Sequence, residues 1–167
     1  GAHDPGDYSL DLLAPFIPGG HWMFSSLTAS YWSKLPGDIN ESSVYAGITA
    51  IALAMYAWIM RRDCRQQTPS MSLWYIITLF FLVMALGPAL RVNGEQVYSW
   101  WMPYSMLEWI FPPLKLSGCP VRMMVMVMLG LSMISAVAIH VLFGRLARGR
   151  IVAAVLIGCV LVVDTLP

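Results

Sequence analysis

Four long apolar runs, separated by short polar segments, constrain the fold of this chain most. The longest, Met123–Phe143, has 21 residues and no charged side chain. As an α-helix it would be about 31 Å long, which matches the roughly 30 Å hydrocarbon core of a bilayer. Met71–Leu90 has 20 residues, Val44–Met60 has 17, and a fourth run begins at Ile151. We therefore predict an all-α fold with about four transmembrane spans.

The composition favours a membrane protein over two other classes. The 167 residues are 58% apolar and 11% charged, whereas soluble domains average about 25% charged residues. So few charged side chains leave too little polar surface for an ordinary soluble globule, and the apolar content excludes a disordered chain. The net charge of +1 and the scattered basic residues give no basis for nucleic-acid binding.

The arginines predict how the spans are oriented. Three lie within residues 61–65 and three within 145–150. If the spans alternate in direction, both of these short loops lie on the same side of the membrane. Short arginine-rich loops face the cytoplasm. We therefore predict a multi-pass protein of the inner (plasma) membrane, with residues 1–43 and 91–122 on the outer side.

The polar segments complete the predicted organisation. Pro103 and Pro112 bracket a short amphipathic stretch that we expect to lie in the headgroup plane. The segments are an outer loop 1–43, a span 44–60, a cytoplasmic loop 61–70, a span 71–90, an outer loop 91–122 with an interfacial helix 103–111, a span 123–143, a cytoplasmic loop 144–150 and the start of a truncated span 151–167.

Candidate binding residues lie in the second outer segment: Trp101, Glu108, Lys115 and Arg122. Arg122 precedes the third span, where a guanidinium group can hold a phosphate through two hydrogen bonds. Lys115 supplies a second positive charge, and the aromatic side chains suit sugar rings. The alternative is that Arg122 anchors the helix by extending to the lipid headgroups.

Acid–base residues of the first outer segment form a weaker candidate: Asp11, His21, Asp38 and Glu41. A carboxylate paired with a histidine can act in proton transfer. Because nothing in the sequence fixes their relative positions, we favour a solvated or capping role. Asp11 is placed to cap a short helical turn. No catalytic residue is predicted.

No metal or cofactor is predicted either. Four methionines within 123–128 resemble a soft-metal patch. At helical spacing they are spread around the helix, so flexible apolar packing is the preferred interpretation. The three cysteines show no ligand spacing.

The order of several short motifs carries a resemblance to a known class. The motifs are Asp11-Leu12-Leu13 with Pro18, Tyr45-Ala46-Gly47, Ala85-Leu86-Gly87-Pro88 and Pro120-Val121-Arg122. In this order they resemble the later half of bacterial polytopic glycosyltransferases of the GT-C class. The resemblance implies an inner-membrane enzyme that transfers a sugar from a polyprenyl-phosphate carrier on the outer face. The key acidic residue of that class lies in an earlier outer loop, so no catalytic residue is carried over.

Two alternatives to a transferase stay open. One is a non-enzymatic structural subunit of a membrane complex, in which small residues such as Gly130 and Ser135 serve helix packing. A transporter fragment comes third, because no charged pathway crosses the spans. We interpret the chain as a piece of a longer protein. Its expected partners are membrane lipids, the lipid-linked sugar, and the missing parts of its own chain or partner subunits.

Overall fold

Helices make up most of the described part of the chain. The computed structural model describes residues 8–19, 21–35, 44–63, 71–98, 101–112, 119–146 and 149–166. The helices are α1 (Ala29–Trp32), α2 (Ile48–Ile59), α3 (Met71–Ala85), α4 (Pro103–Ile110), α5 (Met124–Arg145) and α6 (Arg150–Thr165). Two short strands are β1 (Leu90–Val92) and β2 (Glu95–Tyr98), and 3₁₀ turns occupy Ala14–Phe16, Ser25–Leu27 and Pro120–Met123.

Each of the four apolar runs contains one of the longer helices, but their lengths differ from the prediction. Among the described residues, one continuous helix, Pro120–Arg145, is long and apolar enough to cross a membrane; its 26 residues include a window of mean hydropathy 2.3. α2 has 12 residues and α3 has 15. These helices are about 18 and 22 Å long, which is less than a bilayer core of about 30 Å. About four full-length spans are therefore not seen.

Two glycines explain why α2 and α3 are shorter than their apolar runs. Gly47, directly before α2, has a φ of 85°. The residue before it, Ala46, lies outside any helix or strand, and its backbone N–H donates to the carbonyl oxygen of Pro15 at 3.0 Å. Gly87 follows α3 with a φ of 68°, and its N–H donates to Met84. A glycine in the left-handed region just beyond a helix is a common C-terminal signal, so α3 ends at Ala85 instead of reaching Leu90.

The segment after α3 is a β-hairpin and not only a loop. Asn93 and Gly94 have φ values of 57° and 85°, as a two-residue type I′ turn requires. Val92 pairs with Glu95, Arg91 with Gln96 and Leu90 with Tyr98, with an irregularity after Leu90. An Asn-Gly pair is typical of such a turn. The strands on either side of it were not predicted.

The four longer helices pack with alternating directions. α5 contacts both α2 and α3, and α6 contacts α2. Arg145 at the end of α5 pairs with Asp63 just beyond α2, so these two helices end together. Met71 at the start of α3 is buried in the same cluster as Val141 near the end of α5, so α3 runs opposite to α5. We call this side, with Arg61, Arg62 and Arg145, the arginine end.

The opposite end is covered by what we call the cap, which consists of residues 8–19, 21–35, 86–98, 101–112 and 119–123. α4 and the 3₁₀ turn at Pro120 both contact α3. The buried core beneath the cap contains Leu10, Ala14, Tyr31, Trp32, Ala85, Val121, Met124 and Val127. A second core, nearer the arginine end, contains Ala54, Ala57, Met71, Ile134, Ala138 and Val141.

One close approach fixes how α3 packs on α5. A Cβ atom added to Gly130 would lie 2.0 Å from Thr78 Oγ1 and 3.2 Å from Thr78 Cβ. The Thr78 hydroxyl is itself held, because it donates to the carbonyl oxygen of Trp74 at 2.7 Å. Small residues at helix interfaces allow backbones to approach closely, and Gly130 has that role here.

The outward faces of the bundle are apolar. On α3, Leu73, Ile76 and Leu79 are 53%, 64% and 62% exposed. On α6, Ile151 is 80% exposed, and further valines and leucines along the same helix are also exposed. Monomeric soluble proteins rarely expose contiguous apolar patches beyond a few hundred Å². One helix that could cross a membrane and this apolar exterior are consistent with association with a membrane.

Candidate functional site

Asp11 organises the cap. Its side chain is 3% exposed. Oδ1 accepts hydrogen bonds from the Leu13 N–H at 2.9 Å and from the Tyr31 hydroxyl at 2.7 Å, and Oδ2 accepts one from the Gly94 N–H at 2.8 Å. One carboxylate therefore joins the first cap segment, α1 and the turn of the hairpin. The prediction that Asp11 caps a short helical turn is wrong for the turn Ala14–Phe16, whose N-cap residue is Leu13 and which has no side-chain cap hydrogen bond. The side chain of Asp11 is instead buried between parts of the cap.

The environment of Tyr31 follows from this arrangement. Burial raises the pKa of the Tyr31 hydroxyl above its ordinary value, and the hydrogen bond to Asp11 and the negative charge of Asp11 raise it further. The phenol is thus held in its protonated form, in which it donates to the carboxylate. Because the Asp11 oxygens accept three hydrogen bonds from different parts of the cap, we interpret this carboxylate as structural.

A second carboxylate, Asp164 on α6, lies at the start of α2. Its Oδ2 accepts a hydrogen bond from the Thr49 N–H at 3.0 Å, and its Oδ1 accepts one from the Tyr45 hydroxyl. The oxygen of Tyr45 accepts a hydrogen bond from the Ile48 N–H at 2.9 Å. The first N–H groups of a helix have no partner within it, and the helix dipole favours negative charge there. Asp164 and Tyr45 together cap α2 from outside that helix.

The cap segment also holds the last turn of α6. The indole N–H of Trp22 donates to the carbonyl oxygen of Val163 at 3.1 Å. The backbone N–H of Met23 donates to the carbonyl oxygen of Leu166 at 3.1 Å. These bonds satisfy carbonyl groups that a helix end leaves without internal partners. They bring the cap, the start of α2 and the end of α6 together.

A polar cleft of about 250 Å³ opens at this junction. Its lining residues are Gly19, His21, Trp22, Tyr45, Met128, Asp164 and Thr165. We call it the polar cleft for its polar side chains, although most of its exposed surface is apolar. Asp164, Tyr45 and His21 give it a carboxylate, a phenol and an imidazole, and Trp22 adds an indole ring.

A groove of about 350 Å³ lies beside the polar cleft, between α2 and α6. Its lining residues are Trp22, Ile48, Thr49, Cys159, Val160, Val163 and Asp164. Trp22 and Asp164 line both cavities, so the two are adjacent. We call the second one the apolar groove, because its exposed surface is almost wholly apolar.

The chemistry available in the polar cleft is hydrogen bonding and proton transfer. Each carboxylate oxygen accepts more than one hydrogen bond, so the oxygens of Asp164 can accept from ligand hydroxyls besides their protein donors. His21 is exposed, and the two ring nitrogens of an imidazole can donate and accept hydrogen bonds. Among the described residues, no group of three or more His, Cys, Asp and Glu side chains could hold a metal ion.

The residues predicted as ligands lie elsewhere in the cap. Arg122 is exposed at the start of the long helix. Trp101 is 73% exposed and has a φ of 59°, whereas Glu108 is buried on α4. Lys115 lies outside the described residues. The described lining of the polar cleft contains none of these side chains, so the structure does not bring them together there.

Glu108 has a buried neighbour that the sequence did not point to. Tyr104 lies one turn earlier on α4 and is 2% exposed. Burial raises the pKa of Tyr104, and the negative charge of Glu108 adds to this effect. Glu108 therefore belongs to the packed underside of α4 and not to an open binding surface.

The pairing of Tyr45 with Asp164 was missed because 119 residues separate the two side chains. Neither side chain was among the candidate site residues that the sequence suggested. One signal was present. Asp164 directly follows the apolar run Ile151–Val163, and an ionisable residue beside or within a span is expected to have a function or a partner.

Comparison with known proteins gives one match. The model of the family described as "Domain of unknown function (DUF6311)" matches residues 1–165. No curated protein and no solved structure matches the sequence.

Proposed function

The chain belongs to the DUF6311 family, and from that premise we propose that it forms part of an integral membrane protein that binds a polyprenyl-phosphate-linked sugar. The proposed activity is transfer of that sugar on the outer face of the inner membrane, as in GT-C glycosyltransferases. The observation that carries the proposal is the polar cleft, which adjoins an apolar groove through Trp22 and Asp164.

Membrane insertion is supported by the distribution of apolar side chains. The faces of α3 and α6 that point away from the bundle consist largely of leucine, isoleucine and valine. In water such a surface would drive aggregation, whereas hydrocarbon accommodates it. We propose four spans, with the bilayer thinned locally around the short helices α2 and α3. A short hydrophobic segment is accommodated by such thinning at modest energetic cost.

The orientation of the bundle follows from its two ends. The arginine end faces the cytoplasm under the positive-inside rule, so the cap faces outward. α4 agrees with this placement, because Trp109 and Ile110 are 84% and 68% exposed while Tyr104 and Glu108 are buried. An outward apolar face on a short helix fits the headgroup region of the outer leaflet, where tryptophan is favoured.

The proposed ligand class is based on the position of the polar cleft directly beside the apolar groove. A polyprenyl-phosphate-linked sugar carries a hydroxyl-rich ring at one end of a long hydrocarbon chain. The polar cleft offers Asp164 and His21 to the hydroxyl groups and the indole of Trp22 to the ring. The apolar groove between α2 and α6 gives the chain a path along Ile48 and Val160 toward the hydrocarbon. A free sugar would use only the cleft.

The resemblance to GT-C enzymes supports the transfer reaction and the roles of Arg122 and Lys115. Both residues are proposed ligands of the carrier phosphate, which needs guanidinium or ammonium donors. Arg122 lies at the capped end of the bundle, the same end as the polar cleft. These roles stay a prediction.

Binding of a polyprenyl-phosphate hexose to the full protein in nanodiscs tests the proposal. We expect His21→Ala to weaken binding about tenfold, a loss of about 1.4 kcal/mol. The side chain is exposed, so we expect the variant to have the same unfolding temperature as the native protein. His140→Ala, which removes an exposed histidine from α5, is the matched control and should bind normally. Equal binding by the native protein and the His21 variant would remove the cleft from the proposal.

A structural subunit is the second candidate, and α6 favours it. Ile151 and Val152 on α6 are 80% and 64% exposed, which leaves an apolar face for another membrane helix. Under this alternative, a stable partner co-purifies with the protein in mild detergent and the polyprenyl-phosphate hexose does not bind. Under the transferase proposal the lipid-linked sugar binds to the purified protein.

A further inference from the structure

A cavity of about 580 Å³ lies between α2 and α3 at the arginine end. It lies at the opposite end of the bundle from the polar cleft, and no residue lines both. The lining residues that matter here are Trp58, Arg61 and Arg62 from the α2 side and Met71, Ile76 and Leu79 from α3. We call this cavity the arginine groove.

The charged part of the arginine groove is purely cationic among the described lining residues. Arg61 and Arg62 line it, and no carboxylate does. The adjacent acid, Asp63, pairs with Arg145 on α5. The guanidinium carbon of Arg61 lies 5.7 Å from the centre of the Trp58 ring. Such stacking restrains a guanidinium without using its N–H donors, so the group remains able to bind an anion.

The remaining wall of the arginine groove is apolar and open. Ile76 and Leu79 are 64% and 62% exposed, while Met71 is buried and forms the floor. Ile76 and Leu79 lie progressively farther along α3 from the arginines. The surface therefore changes from cationic to apolar over about two helical turns, along the direction that a lipid molecule would take.

We propose that the arginine groove binds one anionic phospholipid of the inner leaflet. Arg61 and Arg62 hold the headgroup phosphate, and an acyl chain lies along Ile76 and Leu79. Basic pockets between helices on the cytoplasmic side are suited to anionic lipid headgroups, and the adjoining apolar wall selects a lipid over a free phosphate. This inference rests on the membrane insertion and orientation proposed above, but not on sugar transfer.

Native mass spectrometry of the full protein tests the inference, with phosphatidylglycerol and phosphatidylcholine as the two probes. We expect the native protein to retain one phosphatidylglycerol molecule in preference to phosphatidylcholine. The double variant Arg61→Gln/Arg62→Gln should bind phosphatidylglycerol at least about tenfold more weakly than the native protein does. Added phosphatidylglycerol should also raise the unfolding temperature of the native protein and not that of the variant.

The matched control makes the same change of two units in net charge at the cap end instead. Lys34→Glu, at an exposed position, should retain phosphatidylglycerol as the native protein does. Equal loss in this control and in the double variant would overturn the inference, since the effect would then come from overall charge. Retention of phosphatidylglycerol by Arg61→Gln/Arg62→Gln would also overturn it. Inorganic phosphate is added at concentrations that leave the detergent micelles intact. If it displaces phosphatidylglycerol from the native protein, the groove is a phosphate site and the lipid inference is overturned.

The same experiments separate this inference from the proposed function. If the protein stays in solution without detergent, membrane insertion fails and both proposals fail. If it inserts and binds the polyprenyl-phosphate hexose, but holds both phospholipids equally, only the lipid inference is overturned. The purified double variant and Lys34→Glu should both have the unfolding temperature of the native protein in lipid-free detergent, because Arg61, Arg62 and Lys34 are all exposed.

Discussion

At the scale of single residues, the carboxylates of Asp11 and Asp164 have different roles. Asp11 is enclosed by three donors from three parts of the cap. Asp164 also accepts protein hydrogen bonds, but it lines an open cleft. A buried carboxylate with satisfied oxygens stabilises a fold. A carboxylate at a cavity wall is also available to a ligand, so Asp164 is the better candidate for function.

Tyr31→Phe tests the role of Asp11. We expect the variant to lose about 1–3 kcal/mol of unfolding free energy, because a hydrogen bond to a buried charge is removed. Denaturant titration of the protein in detergent measures this. Tyr98→Phe, at a half-exposed position on β2, is the control and should change stability by less than about 0.5 kcal/mol. A loss of equal size in both variants would contradict the structural role of Asp11.

The raised pKa of Tyr31 also sets the sign of a pH effect. The unfolded phenol titrates near its ordinary value of 10.0, and the folded phenol titrates higher. Its stabilising contribution is therefore complete below pH 10 and is lost as the pH rises from there toward the folded pKa. In the same denaturant titration, the native protein should lose stability above pH 10 more steeply than Tyr31→Phe. Parallel pH curves for the two proteins would contradict this contribution.

At the scale of elements, the contact between α3 and α5 depends on the absence of a side chain at Gly130. Gly130→Ala should destabilise the protein by about 1–3 kcal/mol, since the new methyl group would overlap Thr78. Thermal unfolding in detergent measures the change. Gly144→Ala, on the same helix with no atom within 4 Å of the added Cβ, is the matched control and should be neutral or stabilising. Restored stability in Gly130→Ala/Thr78→Ala would identify the contact responsible.

The helices could be predicted from the sequence, but two of their boundaries, the strands and one long-range contact could not. Apolar runs predicted the positions of the four longer helices, because long runs without charge fold as helices in most contexts. They did not predict where α2 begins and α3 ends, because the left-handed backbone conformations of Gly47 and Gly87 cannot be read from apolar content. The hairpin strands are three and four residues long, too short to show alternation. The Tyr45–Asp164 contact depends on tertiary packing and is invisible to any local pattern.

At the scale of the whole molecule, the bundle has two chemically different ends. One has arginines, and the other has a folded cap with exposed tryptophans on α4 and beside it. Proteins inserted in a membrane with their arginines inside show this asymmetry. The proposed roles follow it, with the lipid-linked sugar at the cap and the anionic phospholipid at the arginine end.

Cysteine labelling in cells tests this orientation. In a background where the native cysteines are replaced by serine, Trp109→Cys and Arg62→Cys place single thiols at exposed positions on the two ends. We expect a membrane-impermeant maleimide to label Trp109→Cys in intact spheroplasts and to label Arg62→Cys only after permeabilisation. Labelling of both from outside would contradict a bundle that crosses the membrane, and the reverse pattern would invert the orientation.

The capping of α2 by Asp164 has a consequence for synthesis of the chain. Thr49 and Asp164 are 115 residues apart, so the ribosome completes nearly all of the bundle before the carboxylate that caps α2 exists. The bonds from Trp22 and Met23 to the end of α6 have to wait equally long. The polar cleft therefore cannot form before α6 has been synthesised, and a chain that stalls before α6 would lack it.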